Sequence, residues 1–384
     1  MIRVALSSAL QAPPLAEEWE LLQSKVPVSY FQSWGWVSAW RGSLPEDLDL
    51  VVFRAFDGDT LIGLGLLGRH DRRRLGWLTA HTAALLETGQ PLHDALTVEH
   101  NGLLVLPEYR AEVHRQLLAS LLRTGEFDDV VLSGLDAGLA EELTQAARAS
   151  GFDVRLEGDK PFFTVDLQAL RASNRSFLDS LSSNTRYQIK RAQRAYESLG
   201  PLTCVAASSP QEATQFFDRL VALHQPYWNS RGMPGAFGSE FQRRFHAQLI
   251  GQRFAHGEIQ LLRICAGARE IGYLYGLVIQ GCLYSYQSAF CYEAGPKLKP
   301  GLVSHSLAVE FCSTAGLGTY DFLAGDSQYK RSLSGHTGRM LWLRVCRPRL
   351  ALRVEDFARS MVGRVRQLRR GRQPAATTPA IESS

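Results

Sequence analysis

Nothing in this sequence spells CxxC, neither sign of charge predominates, and no stretch approaches the ~18 consecutive apolar residues of a membrane-spanning helix. The six cysteines, Cys204, Cys265, Cys282, Cys291, Cys312 and Cys346, are scattered and lie mostly in apolar runs. That spacing argues against a zinc ribbon or a redox pair and fits reduced packing residues of a cytosolic protein. Residues Met1–Pro14 lack the charged-then-apolar layout of a signal peptide, so a cytoplasmic location is expected. A net charge of +4 demands neither a nucleic acid nor an anionic surface as partner. The excess is local: Arg344–Gln373 holds ten arginines against Glu355 and Asp356, which leaves the rest of the chain negative. A helix over Val354–Arg370 would carry an apolar stripe of Val354, Phe357, Met361, Val365 and Leu368 opposite Arg359, Arg366 and Arg370. It either docks on a domain or makes peripheral contact at the inner face of the membrane. The tail after Gly371, rich in Pro, Ala, Thr and Ser, reads as disordered.

What is present is enough apolar residue, 45% of 384, to build two cores. Aromatics at Phe31, Trp34 and Trp40 suggest an opening helix. Strands at 50–56 and 60–68 flank the turn Asp57-Gly58-Asp59. Helices over 108–124 and 137–150 enclose a short buried strand at 129–133. The second half repeats this style. It has a strand at 162–166, a basic helix over 174–199, a strand at 202–206, helices over 210–228 and 239–256, and three strands between Glu258 and Phe290. A helix from Gly301, a strand at 319–323, a polar segment 325–334 and a strand at 340–345 complete it. The expected organisation is residues 1–160, 161–346 and a basic helix with tail at 347–384, the first two sharing one mixed α/β plan. Gly63-Leu64-Gly65-Leu66-Leu67-Gly68 satisfies GxGxxG, but it lies within a strand rather than at the start of a helix. It reads as a strand packed close to a neighbour, not as a dinucleotide loop.

The loop Gly295-Pro296-Lys297-Leu298-Lys299-Pro300-Gly301 follows long strands and opens a helix, so unpaired N–H groups and two lysines can meet a phosphate. A surface loop with two lysines is the plainer alternative. In the helix at 210–228, His224 and Trp228 are four apart and share a face, a proton acceptor beside a flat wall or a structural histidine. Tyr286 and Gln287 point to opposite faces of their strand. Arg186, Lys190 and Arg194 form a basic stripe that either guides an anionic substrate or is a solvated face. Ser304 and His305 read as packing residues.

Four motifs occur in order: Leu223-His224-Gln225-Pro226-Tyr227-Trp228-Asn229-Ser230-Arg231-Gly232, Tyr284-Ser285-Tyr286-Gln287-Ser288, Pro300-Gly301, and Tyr320-Asp321-Phe322-Leu323-Ala324-Gly325-Asp326-Ser327-Gln328-Tyr329-Lys330-Arg331. Together they resemble the CelD/BcsL-like acetyltransferases, relatives of the Fem-type peptidoglycan aminoacyltransferases within the GNAT superfamily. One position departs from the pattern: Cys291 stands where the family usually has Asp.

The resemblance implies two tandem GNAT-like domains with mixed sheets flanked by helices, and acyl transfer from acyl-CoA, most simply acetyl-CoA, without a metal. The acceptor would be an amine of a cell-envelope or exopolysaccharide precursor, or an amino sugar. It further implies a bulged strand offering an oxyanion-binding N–H, assigned here to 271–280 with Gly276 either as the bulge or as a glycine making room for a neighbouring side chain. Gly276, Lys297, Lys299 and Gly301 would hold the cofactor, and Trp228, Tyr286, Gln287 and Arg186 the acceptor. Asp326 is the first choice for general base or amine anchor, with a turn-forming role as its alternative. Lys330 with Tyr329 would polarise a carbonyl or hold a phosphate, and His224 would complete the catalytic set. Two other readings stay open: a Fem-like transferase using aminoacyl-tRNA, and a non-catalytic accessory of polysaccharide biosynthesis.

Overall fold

The computed structural model describes residues 2–8, 15–74, 78–123, 125–292 and 298–348. The expected basic helix at 354–370, the tail and Lys297 lie outside these residues.

The chain runs twice through one order of elements. In the first pass, β1 (Ile2–Ser8), α1 (Leu15–Gln23), α2 (Trp34–Ser43), β2 (Leu50–Asp57), β3 (Thr60–Arg74) and β4 (Leu78–Leu85) are followed by the short α3 (Pro91–Asp94) and β5 (Leu104–Val105). Then come α4 (Arg110–Leu122), β6 (Asp129–Asp136), α5 (Ala137–Ala149) and β7 (Asp153–Asp166). Two short helices, α6 (Leu167–Ala172) and α7 (Phe177–Ser180), and the longer α8 (Ser183–Glu197) lead into the second pass. It comprises β8 (Leu202–Ala206), α9 (Pro210–Asn229), α10 (Glu240–Arg253), β9 (Ile259–Ala266), β10 (Arg269–Ile279), β11 (Cys282–Phe290), α11 (Pro300–Thr314), β12 (Thr319–Ala324), α12 (Gln328–Leu333) and β13 (His336–Cys346). Both passes therefore read βααβββ, then α, β, α, β, apart from the small α3 and β5.

The strands form one mixed sheet in the order β1-β2-β3-β4-β6-β13-β7-β12-β11-β10-β9-β8, with β5 beside β3. Within each pass the first four strands are antiparallel, and the fifth, β6 or β12, runs parallel to the fourth. The last strands are exchanged: β7 of the first pass pairs with β12, β13 of the second pairs with β6, and β7 and β13 pair with each other. The boundary expected at residue 160 thus falls inside β7, whose first part pairs only with β13 and whose end completes the second half's sheet.

Local chemistry starts the helices where side-chain oxygens can take the first free N–H groups. Ser209 accepts from the Glu212 amide with Pro210 at the first helical position of α9, and Ser239 with Gln242 makes a capping box for α10. The single helix expected over 174–199 is two, because Ser176 captures the Asp179 amide and Ser182 the Thr185 amide, each opening a new helix. Strands β1 and β4 are not foreseen by sequence pattern. Leu-Thr-Ala-His-Thr-Ala-Ala-Leu is a weak strand former, and β4 exists because β3 and β6 pair with it on both edges.

A large aromatic core crosses between the halves and occupies one face of the second half's sheet, with α2 packed on α10. Trp36 sits 4.9 Å from Phe31, 4.8 Å from Phe245 and 5.7 Å from Tyr286, ring centre to ring centre. A second core lies under α8 and α11 on the other face.

Candidate active site

In each half the parallel strand pair holds together for only three residues and then opens. In the second half Cys282, Leu283 and Tyr284 pair with Thr319, Tyr320 and Asp321, after which β11 and β12 diverge. A cavity of about 510 Å³ fills this V, within the ~300–1,000 Å³ usual for small-molecule sites. Its walls are β11 from Ser285 to Phe290, β12 from Phe322 to Ala324, and the start of α11.

The β11 wall is irregular. Tyr275 pairs with Gln287 but Gly276 pairs with Ser285, so Tyr286 is an extra residue without a partner in β10. The bulge expected at Gly276 is therefore on the neighbouring strand. Gly276 instead makes room for Leu283, whose Cδ1 would lie 2.9 Å from a β-carbon added there, and it does not line the cavity. A bulge leaves backbone groups outside the ladder, which is how a strand presents an amide to an oxyanion.

At the start of α11, Pro300 has no N–H and the Val303 amide bonds back to the Lys299 carbonyl, so the Gly301 and Leu302 amides lie in the first turn, where N–H groups face out of the helix. Gly301 and Lys299 both line the cavity. Those two amides and the Lys299 ammonium suit an anionic group.

Opposite, Lys330 extends from α12 and donates to the Ala324 carbonyl at 2.7 Å and the Leu323 carbonyl at 3.2 Å. Burial lowers its pKa, against the pull of the Glu99 and Asp321 carboxylates. Tyr329 stacks on His305, ring centres 5.0 Å apart, with burial pushing its hydroxyl up to about 12. His224 is buried on α9 with its Nδ1 3.1 Å from the Gln225 side-chain oxygen. Its pKa is lowered, by burial first, with hydrogen bonds to Gln225 and Gln287 opposing. Trp228 lies 5.8 Å from it, and Gln287 lines the same wall. Tyr286 lines the cavity too, but its hydroxyl is tied to the Leu96 carbonyl of the first half.

Two further expected residues, besides Gly276, lie elsewhere. Asp326, its side chain 61% exposed, pairs with Arg331 and is not part of the lining. Arg186 pairs with Asp179 at 3.2 Å on the outer face of α8, while Asn184, Thr185 and Gln188 of that helix reach the cavity.

Among the described residues the carboxylate that lines the cavity is Glu99, from the first half, 8% exposed. The first half has its own V, where Thr82, Ala83 and Ala84 of β4 pair with Asp129, Val130 and Val131 of β6. The segment Val98–Asn101 closes it: Asn101 donates through its side chain to the Leu85 carbonyl at 3.0 Å and through its backbone to the Gly134 carbonyl at 2.9 Å. The plug that fills one opening thus delivers Glu99 to the other. There Glu99 accepts from the Ala324 amide at 2.7 Å. Burial raises its pKa, with the Ala324 N–H and Lys330 opposing. No sequence motif marks Glu99, because its function depends on a crossing between segments more than 200 residues apart.

Gly134 makes the plug fit. Its φ is +66°, and a β-carbon there would sit 2.4 Å from the Val98 carbonyl oxygen. Gly134→Ala is expected to cost about 2–4 kcal/mol, combining the left-handed backbone with overpacking. Chemical denaturation measures the loss, and the cavity-lining position of Glu99 should go with it.

His100 locks the plug to the second half. Its Nδ1 lies 2.6 Å from Asp136 Oδ1 and its Nε2 3.0 Å from Asp321 Oδ2. Burial alone would lower its pKa, but hydrogen bonds and charge from the two carboxylates prevail and raise it to about 10. A raised folded pKa means that stability from this group is full below its unfolded value of ~6.5 and is lost as pH rises toward 10. The denaturation midpoint should therefore fall between pH 7 and pH 10, and less so in His100→Asn.

With this geometry in place, the comparisons are specific. A model of the GNAT acetyltransferase domain family matches residues 183–331. Residues 183–331 are a GNAT domain. That span holds the V between β11 and β12, the start of α11 and Lys330. The GNAT domain and its flanking half resemble the crystal structure of FemX with a TM-score of 0.57 at 10% identity, over 86% of this chain and 95% of that one. The structure of L-PGS from Bacillus licheniformis gives 0.50 at 11% identity, over 91% and 97%. These likenesses are of fold. No curated protein sequence matches the chain. Among the described residues no cluster of side chains suits a metal ion, and no helix is long and apolar enough to cross a membrane.

Proposed function

We propose that the protein is an acyl-CoA-dependent N-acyltransferase that acts on an amine of a cell-envelope or exopolysaccharide precursor, or on an amino sugar. The observation that carries this reading is that the bulged β11, the first-turn amides of α11 and the buried Glu99 share one cavity. Acyl transfer to an amine needs a polarised carbonyl, a deprotonated nucleophile and a proton for the leaving group. The backbone at the Tyr286 bulge meets the developing oxyanion. The α11 amides with Lys299 take the donor's phosphates. Glu99, held by the Ala324 N–H, removes the amine proton, the part expected of Asp326. Lys330 sits close enough in charge to balance the Glu99 carboxylate. His224, Trp228 and Gln287 form the wall against which the acceptor rests.

A second reading is aminoacyl transfer from tRNA. It is favoured by the exposed Lys190, Arg191 and Arg194 on the helix whose first turn reaches the cavity. One experiment separates the two: thiol release from acetyl-CoA with a panel of amino sugars, beside aminoacyl transfer from charged tRNA. Thiol release dependent on an amine supports the proposal, tRNA-dependent transfer supports the second reading, and neither with any acceptor would point to a non-catalytic accessory.

A further inference from the structure

A line of hydrogen bonds runs through the wall of the cavity. Tyr320, 1% exposed, donates from its hydroxyl to Ser285 Oγ at 3.2 Å, and His305 Nδ1 lies 3.2 Å from the same Tyr320 oxygen. Both ends of the line, Ser285 and His305, belong to the cavity lining, and Tyr320 lies between them. His305 is 1% exposed, and its Nε2 is buried without a hydrogen-bond partner. An unpaired lone pair is tolerated better than an unpaired N–H, so the ring's proton belongs on Nδ1. The direction is then fixed: Nδ1–H donates to Tyr320, Tyr320 donates to Ser285, and the Ser285 proton is left for a group in the cavity. Ser285 is also the first residue of β11 beyond the last one paired with β12, at the apex of the V and next to the Tyr286 bulge. A thioester whose carbonyl meets the backbone at the Tyr286 bulge sits one residue along the strand from Ser285.

We infer that Ser285 protonates the departing thiolate and that Tyr320 and His305 hold its hydroxyl oriented for that step. This rests on the acyl-transfer reading above. The amine attacks the carbonyl carbon and its proton goes to Glu99. The C–S bond breaks with its electron pair on sulfur, and sulfur takes the Ser285 proton. Ser285 Oγ, which lines the cavity, then recovers the proton released by Glu99, carried by cavity water, while the Tyr320 hydroxyl stays donated to Ser285 and His305 Nδ1–H to Tyr320. One proton returns to Ser285 for each that leaves, so the line ends each turnover as it began. Burial suits this relay of hydrogen bonds, because it holds His305 down to about 3, with Lys330 adding to the effect, and the ring keeps its one proton throughout. Ser285 is a catalytic residue in this scheme, and Tyr320 and His305 are positioning residues.

The test varies the leaving group. With acetyl-CoA, Ser285→Ala should lose about 10²-fold in kcat with little change in KM, and Tyr320→Phe should show the same pattern to a smaller degree. With an acetyl aryl thioester, whose thiolate is stable unprotonated, both variants should approach the parent rate. Equal losses with both donors, in variants whose circular dichroism matches the parent, would overturn the relay. So would a leaving-group-dependent loss in Tyr329→Phe with Ser285→Ala unaffected. If the parent protein releases thiol from neither donor, it is the acyl-transfer reading that fails.

Discussion

Glu99→Gln leaves a folded protein that turns over about 10²–10⁴-fold more slowly than the parent, the usual contribution of a positioned base. Glutamine has the same shape and retains an oxygen to accept from the Ala324 amide, so the plug should stay in place. The pH profile gives a second signature. Burial raises the Glu99 pKa more than the Ala324 N–H and Lys330 lower it. The acid limb of kcat/KM should accordingly lie above the ~4.3 of an ordinary glutamate and vanish in the variant. Stability should move the other way. A carboxyl with a raised folded pKa favours the folded state when protonated, and that advantage is lost as pH rises through the folded value. Above its folded pKa Glu99 gives the native protein a charge that burial disfavours. Glu99→Gln removes it and should be at least as stable by urea denaturation. A slower and less stable variant would mean that Glu99 is structural.

The largest loss of stability is expected from Trp36→Ala, about 3–5 kcal/mol for removing a buried indole, a large part of the ~5–15 kcal/mol that holds a typical protein folded. Trp36 packs between Phe31 of its own half and Phe245 and Tyr286 of the other. Because the core is shared and β7 and β13 are exchanged, neither half has a complete sheet alone. Denaturation of both parent and variant is expected as one transition, with the midpoint lowered in the variant. Two separate transitions would show that the halves are independent. Activity should fall as well, since Trp36 supports the ring of the bulge residue Tyr286.

The repeat was legible in outline: the second pass shows a helix pair, three strands, then helix and strand in turn, whereas β1, α1 and β4 of the first pass leave no clear pattern. Strand β8, β11 and the boundaries of α9 follow the sequence reading closely, because Ser209, Pro210 and the turn Gln280-Gly281 act within a few residues of themselves. Motifs around Trp228, Gln287, Gly301 and Lys330 were legible for a similar reason, since all lie in one half and on elements that fold locally around the V.

Long-range arrangement was not legible. Asp326 looked right because it follows a buried strand, yet the turn at Gly325, with φ of +121°, leaves it beside Arg331 at the surface. The bulge was assigned to Gly276 because glycine is the residue that marks one, whereas register belongs to a strand pair and put the extra residue at Tyr286. Local propensity and periodicity, which act over one or two turns of chain, determined most of the elements and their order, while the acyl-transfer motifs were read by their resemblance to a family. The exchange of β7 and β13, the plug that carries Glu99 across, and the line from His305 to Ser285 were decided by the tertiary structure alone, because each is a contact between segments whose separation leaves no periodic trace in the residues between them.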